Sequence, residues 1–170
     1  MKISFTPLKR EHAEEVISWR YQPPYEMYDY RDHSPEVAID HLTQPANQFF
    51  AVLRDEELIG FRSFGPDGRV PGGIYDESSL DTGGGLRPDL TGQGLGSEII
   101  RKGIEFGVRE FGAEHFRVTI AAFNKRALSA CKGIGFTEDG RFHRTSDEEE
   151  FVILKLEQPM REQDAGGKGD

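Results

Sequence analysis

Leu86-Arg87-Pro88-Asp89-Leu90-Thr91-Gly92-Gln93-Gly94-Leu95-Gly96-Ser97 stands between a stretch that reads as a strand and the most regular helical pattern in the chain. Glycines at positions 92, 94 and 96 allow several backbone N–H groups to turn toward one anion, and a helix opening at the same place adds the positive end of its dipole. The stretch reads as a phosphate cradle, with a glycine-rich connection holding no ligand as the alternative. A strand that runs through such a loop into a helix also sets the expectation of an α/β fold.

What is missing narrows the ligand. A Walker loop requires Gly-Lys followed by Ser or Thr, whereas Gly96 is followed by Ser97 and Glu98. The dinucleotide fingerprint requires Gly-x-Gly-x-x-Gly and a later acid at the end of the next strand. Here the spacing is Gly-x-Gly-x-Gly and Glu114 precedes its strand, which leaves a dinucleotide-binding oxidoreductase as a distant reading.

Downstream, Leu95, Ile99, Ile100, Ile104, Val108 and Phe111 recur at helical spacing with Glu98, Arg101, Lys102, Glu105 and Arg109 between them, and Gly112 closes the run as a left-handed cap. Phe116, Val118 and Ile120 alternate as a strand, a second helix runs from Asn124 to Lys132 before Gly133 and Gly135, and Phe151–Leu156 supplies the last strand. Upstream, Ser79–Leu86 reads as a strand despite three consecutive glycines, which suggest a bulge or the close approach of a ligand. Gly65–Glu77 is a loop. Phe49–Leu53 and Leu58–Phe64, joined by Arg54-Asp55-Glu56-Glu57, read as an antiparallel hairpin. Ile3–Thr6 is a first strand, Leu8–Trp19 a helix, Tyr21–Tyr30 a loop broken by Pro23-Pro24, and Ser34-Pro35 opens a short helix to Leu42.

The composition sets outer limits. The chain has 170 residues, 36% of them hydrophobic, which suits one ordinary core and sets the expectation of one domain over residues 1–157 followed by a disordered tail over 158–170. Cys131 is the single cysteine, so an internal disulfide and a cysteine-based zinc site are both excluded, and the five histidines show no metal-ligand spacing. With no apolar run long enough to span a bilayer and no basic-apolar-small leader pattern, the expected location is cytoplasmic, away from any membrane. A net charge of −9 argues against a nucleic-acid partner, which would require clustered Lys and Arg, and reads either as a solvated acidic surface or as suiting a cationic partner such as an amine.

Leu86–Ser97 resembles the acetyl-CoA signature of the GNAT N-acetyltransferases, in which Arg or Gln, two residues, Gly, one residue, and Gly or Ala hold the pyrophosphate of CoA. A second block, Val118–Phe136, resembles the later motif of the same family: a strand, an Asn opening a helix, and a closing Gly-Phe at Gly135-Phe136. The resemblance implies a GNAT fold, with a central mixed, mainly antiparallel sheet of about six to seven strands flanked by about four helices. It also implies an N-acetyltransferase using acetyl-CoA as co-substrate and no metal, acting as monomer or homodimer on the amine of a small molecule or of a protein or peptide. A non-catalytic acyl-CoA-binding sensor on the same fold is the alternative.

Residue by residue, the resemblance places the backbone amides of Gly92, Gln93, Gly94, Leu95, Gly96 and Ser97 on the pyrophosphate. It places Leu86 where its amide polarises the thioester carbonyl, and Asn124 on the pantetheine arm, a role compatible with capping the helix. Two positions depart from the pattern. Thr91 replaces the signature Arg or Gln and removes a charge that Arg87 or Arg126 could supply. Cys131 replaces the tyrosine that protonates the departing thiolate, and is read either as the acid or as a small buried hydrophobe. Asp81 is the first choice for the base that deprotonates the amine, with Asp76 and Glu77 also placed near the cofactor strand. Tyr25, Tyr28 and Tyr30 either wall the acceptor site or pack over the sheet.

Overall fold

The computed structural model describes residues 2–157, so the expected disordered tail lies outside the described residues. Among these, seven strands hydrogen-bond in the order β1-β2-β3-β4-β5-β7-β6, antiparallel throughout except where β4 meets β5. They are β1 (Ile3–Pro7), β2 (Phe49–Arg54), β3 (Glu57–Phe64), β4 (Leu80–Leu86), β5 (His115–Ala121), β6 (Thr137–His143) and β7 (Glu150–Glu157). The α-helices are α1 (Arg10–Ser18), α2 (Pro35–Thr43), α3 (Leu95–Phe111) and α4 (Lys125–Ile134). This is the mixed, mainly antiparallel sheet with four helices expected from the sequence. The chain forms two compact units, one of residues up to Gly68 with Thr82–Gly96, the other of Arg69–Asp81 with residues from Ser97 onward.

In the first unit, β2 and β3 form the expected hairpin. Its turn residues Asp55 and Glu56 both take positive φ, 48° and 72°, as a two-residue turn matched to strand twist requires. β1 pairs with β2 from Ile3↔Arg54 to Pro7↔Phe50. The buried residues Leu8, Ala13, Val16 and Trp19 from the α1 region join Ile39 and Leu42 of α2 and Phe49, Ala51, Leu58 and Phe61 of the strands in one core. The spacing of Ala13, Val16 and Trp19, and of Ile39 and Leu42, is helical, and Phe49 and Ala51 alternate, while an irregularity in the β2–β3 register separates Leu58 from Phe61 by three positions.

β4 continues this sheet with a fixed phase. The ladder runs Gly60↔Leu86, Phe61↔Gly85, Arg62↔Gly84, and the Arg87 N–H donates to the Ile59 carbonyl at 2.8 Å. Bonded and non-bonded pairs alternate in an antiparallel ladder. Gly83, Gly85 and Arg87 therefore direct their backbone groups at β3, and Thr82, Gly84 and Leu86 direct theirs away. The three glycines lie within a continuous strand, which rules out the bulge, one of their two readings, the other being the close approach of a ligand. Crowding by β3 accounts for two of them: a Cβ on Gly84 would collide with the Phe61 carbonyl oxygen, and one on Gly85 would lie 2.8 Å from the Phe61 ring.

The second unit is built on β5. Leu80 and Asp81 of β4 pair in parallel with Phe116 and Arg117, and β7 lies antiparallel between β5 and β6. Ile104 of α3 and Leu128 and Cys131 of α4 pack with Phe116, Val118, Phe136, Val152, Leu154 and Leu156. α3 ends as expected, with Gly112 at φ 64° donating to the Val108 carbonyl. β6 has no counterpart in the sequence reading. It is an edge strand, mostly exposed, of sequence Thr-Glu-Asp-Gly-Arg-Phe-His, and so carries no apolar alternation.

Arg117 organises the loop that precedes β4. Its side chain is 2% exposed, and its guanidinium donates to both Asp81 oxygens at 2.7 and 2.8 Å, to the Asp76 carboxylate at 3.1 Å and to the Asp76 carbonyl at 2.8 Å. Tyr75 lies against it at 5.0 Å and bonds Thr119 through its hydroxyl, while Arg69 adds a third guanidinium bond to Asp81 at 2.9 Å. Removing one member of such a buried pair strands the other charge, whereas replacing both with apolar residues does not. Asp81→Ala is expected to cost about 3–5 kcal/mol in denaturant unfolding. The double variant Asp81→Leu/Arg117→Met should recover most of that loss.

Candidate active site

Beyond Leu86 the chain turns through Pro88–Leu90, crosses Thr91–Gly94 and enters α3. The loop is tied to itself. The Arg87 guanidinium donates to Asp89 at 2.7 Å, to Glu57 at 2.9 Å and to the Leu58 carbonyl at 3.0 Å, and these carboxylates raise its pKa, Asp89 foremost. The Thr91 hydroxyl donates to the Pro88 carbonyl at 2.8 Å, and the Gln93 side-chain amide donates to the Asp89 carbonyl at 3.1 Å. Arg87, expected on the cofactor, is thus engaged by Glu57, Asp89 and Leu58.

Gly92 and Gly94 hold φ of 77° and 82°, in the left-handed region that favours glycine. Placed on either side of Gln93, they form the kind of alternating backbone whose successive N–H groups converge on one anion. α3 starts at Leu95, and the N–H groups of its first turn have no intrahelical partner. An ideal Cβ on Gly94 or Gly96 would meet no atom within 4 Å. Two positive-φ glycines at the opening of a helix, with open space beside Gly94 and Gly96, fit a diphosphate held by main-chain dipoles.

The far side of Leu86 is occupied by a residue the sequence reading did not select. The Tyr21 hydroxyl donates to the Leu86 carbonyl at 2.6 Å. Tyr21 is positioned in turn by Asp29, whose fully buried carboxylate accepts the Tyr21 N–H at 3.1 Å, the Arg31 N–H at 3.1 Å and the Arg31 guanidinium at 2.6 and 2.8 Å. The bonds from Arg31 hold Asp29 well below the usual carboxylate range. Burial, reinforced by Tyr30 and Asp29, raises the Tyr21 phenol. No local pattern marks Tyr21, because its partner lies 65 residues away.

The other expected site residues divide. Tyr25 and Tyr28 stack on each other at 6.4 Å beside the turn Glu26–Tyr28, both half-buried. Tyr30 packs against the α1–α2 core and His33, and burial with the nearby Asp67 charge pushes its phenol up to about 12, so it serves as a packing residue. Asn124 caps α4, its side-chain oxygen accepting the Ala127 N–H at 3.2 Å, and Arg126 is exposed in the first turn of α4.

Asp81 and Cys131, expected as base and acid, are both enclosed. Asp81 has a side chain only 2% exposed, with both oxygens on guanidinium groups, so it presents no carboxylate to a substrate amine. Asp76 is bonded to Ser78 and Arg117, with the Ser78 bonds foremost in lowering its pKa, and Glu77 accepts from Arg69. Cys131 is 2% exposed and lies in the core with Leu128, Phe136 and Val152.

Over residues 2–137 the sequence matches the acetyltransferase (GNAT) domain. The chain belongs to the GNAT acetyltransferase family. It is accordingly an acyl-CoA-dependent N-acetyltransferase with acetyl-CoA as co-substrate. Among curated proteins, no sequence matches it. Its fold is similar to that of AAC(6')-Ib solved with ribostamycin and coenzyme A, with a TM-score of 0.75 at 13% identity over 100% of this chain and 99% of that one. A Bacillus anthracis GNAT acetyltransferase gives 0.71 at 14% identity over 92% and 95% of the two chains. A spermidine N-acetyltransferase SpeG chimera from Vibrio cholerae and hSSAT gives 0.69 at 17% over 93% and 96%. At these identities the likeness is one of fold. No helix among the described residues of this GNAT acetyltransferase is long and apolar enough to cross a membrane.

Gly94→Glu places a bulky anion in the space above the cradle and an L-side chain at a positive φ, the latter costing about 1–2 kcal/mol. Titration calorimetry is expected to show acetyl-CoA affinity falling by about 100-fold or more, equivalent to about 2.7 kcal/mol or more, with circular dichroism unchanged.

Proposed function

We propose that this GNAT acetyltransferase moves the acetyl group of acetyl-CoA onto the amine of a small cationic molecule, and that it does so without a dedicated side-chain acid or base. The observation that carries the reading is the pair of left-handed glycines opening α3 beneath empty space. The acceptor class is supported by the net charge of −9 and by the amines named for proteins of similar fold, an aminoglycoside and spermidine. Protein and peptide amines are the other class to assay.

In this mechanism the amides of Gly92–Ser97 hold the diphosphate, and Thr91 supplies no charge. Asn124 and Arg126, at the start of α4, address the pantetheine arm and the cofactor's phosphates. The Leu86 N–H, directed away from β3, donates to the thioester carbonyl oxygen, where negative charge grows as the amine attacks; a fixed donor there favours the transition state over the ground state. Tyr25 and Tyr28 form one wall of the acceptor site. With the first-choice base Asp81 closed off by Arg117 and Arg69, water takes the amine's proton in this mechanism and returns one to the departing thiolate. The remaining acceleration comes from holding amine and thioester together.

Release of free CoA thiol in the presence of polyamines, aminoglycosides, amino acids and peptide N-termini tests the acceptor class, and a response only to peptide N-termini would overturn it. Without an enzymic base, the pH profile belongs to the acceptor. Below the amine's own pKa, kcat/KM should rise about tenfold per pH unit, with a midpoint that moves from about 8 for an α-amine to about 10.4 for a lysine-like amine. A midpoint that stays fixed while the amine changes would point to a titrating enzyme group. Cys131→Ala should retain turnover within about tenfold of wild type if the thiol does not protonate the departing thiolate.

A further inference from the structure

One face of β4 carries two polar features of the first unit. A Cβ on Gly85 would lie 3.2 Å from the Tyr21 hydroxyl oxygen, and one on Gly83, two residues back and so on the same face, would lie 3.9 Å from the Gly68 Cα. The turn Pro66–Gly68 therefore flanks the strand on the side of the Tyr21–Tyr30 loop, and Asp67 stands in that turn with its side chain 30% exposed. Its charge, together with burial, pushes the Tyr30 phenol up to about 12, so the carboxylate faces the end of that loop.

A chain of hydrogen bonds leaves Asp67 without a neutralising cation. The His41 carbonyl accepts from the Asn47 side-chain nitrogen at 2.9 Å, which fixes the orientation of that amide and sends its second hydrogen toward His41 Nδ1 at 3.3 Å. With Nδ1 an acceptor, the ring proton sits on Nε2, which donates to Asp67 Oδ1 at 2.6 Å. An imidazole in that tautomer is uncharged, and the second Asp67 oxygen has no protein partner among the described residues. Asp29 and Asp81, by contrast, are closed by guanidinium groups.

We propose that Asp67, oriented by His41 and Asn47, binds a second ammonium group of the acceptor and so determines specificity, favouring amines with more than one cationic group over monoamines. The proposal rests on the reading of the acceptor as a small cationic molecule, and it names the side chain that recognises the cation. A carboxylate backed by a neutral donor gains a charge-assisted hydrogen bond from an ammonium without first giving up an ion pair. The reacting amine is neutral when it attacks, so the selection acts on the acceptor's other amine.

The test compares kcat/KM for CoA-thiol release within two pairs, spermidine against butylamine and ribostamycin against glucosamine, corrected for the neutral fraction of each reacting amine. Wild type is expected to favour the polycation by about tenfold or more in at least one pair, the range of a hydrogen bond to a charged group. Asp67→Asn keeps an oxygen for His41 and loses the charge. It should cut the preference to below about threefold while acetyl-CoA affinity by calorimetry stays within about twofold of wild type, a split that general loosening of the fold would not produce. His41→Lys leaves Asp67 in place and supplies it with a fixed cation, and should cut the preference likewise. Wild type with no preference in either pair, or a preference kept by either variant, overturns the role of Asp67 while the cationic-acceptor reading stands. Wild type that turns over none of the four amines overturns that reading and this inference with it.

Discussion

The β3–β4 ladder, extended past Leu86 by the bond from the Arg87 N–H to the Ile59 carbonyl, fixes the phase of β4, and the proposed chemistry of Leu86 depends on that phase. Because strand faces and backbone directions both repeat every two residues, a slip of one position would turn Leu86 toward β3 and bring a neighbouring residue's backbone outward. The structure guards against the slip twice. Gly84 and Gly85 occupy the positions that Phe61 crowds, and no other residue type fits both without displacement. The Arg87 side chain then anchors the strand end to Glu57, the Leu58 carbonyl and Asp89.

Charge is used in this protein mainly to hold loops in place. In the first unit Arg31 clamps Asp29, and Asp29 holds the backbone from which Tyr21 reaches Leu86. In the second, Arg117 and Arg69 close on Asp81 and fold the Tyr75–Asp76 segment around them. Both arrangements place a buried carboxylate against guanidinium groups, where several charge-assisted hydrogen bonds offset the loss of water. The Asp81 carboxylate in β4 is thereby structural, and the proposed anion cradle depends on oriented peptide groups. An anion site of that kind carries its partial charges on the main chain, so they do not titrate.

Much of this was legible in the sequence. The glycine loop and the helix Leu95–Phe111 announced themselves through spacing, and the hairpin through two apolar runs around Asp55-Glu56. Those features are encoded within a few residues of one another. What escaped was of two kinds. β6 is an exposed edge whose only requirement is backbone pairing with β7, so its side chains carry no pattern. Tyr21 and Asp81 acquire their roles from partners 65 and 36 positions away, and a carboxylate facing two arginines looks the same in sequence as one facing water. Cys131 shows the reverse case: its place on the helix suggested chemistry through the family pattern, while its neighbours Leu128, Phe136 and Val152 make it part of the core.

The enclosure of Cys131 has a practical side. A protein whose single sulfhydryl is sealed among hydrocarbon side chains is a poor target for alkylating electrophiles and peroxide as long as it stays folded. Each molecule that opens exposes one reactive sulfur, so slow labelling with a maleimide dye counts unfolding events one at a time.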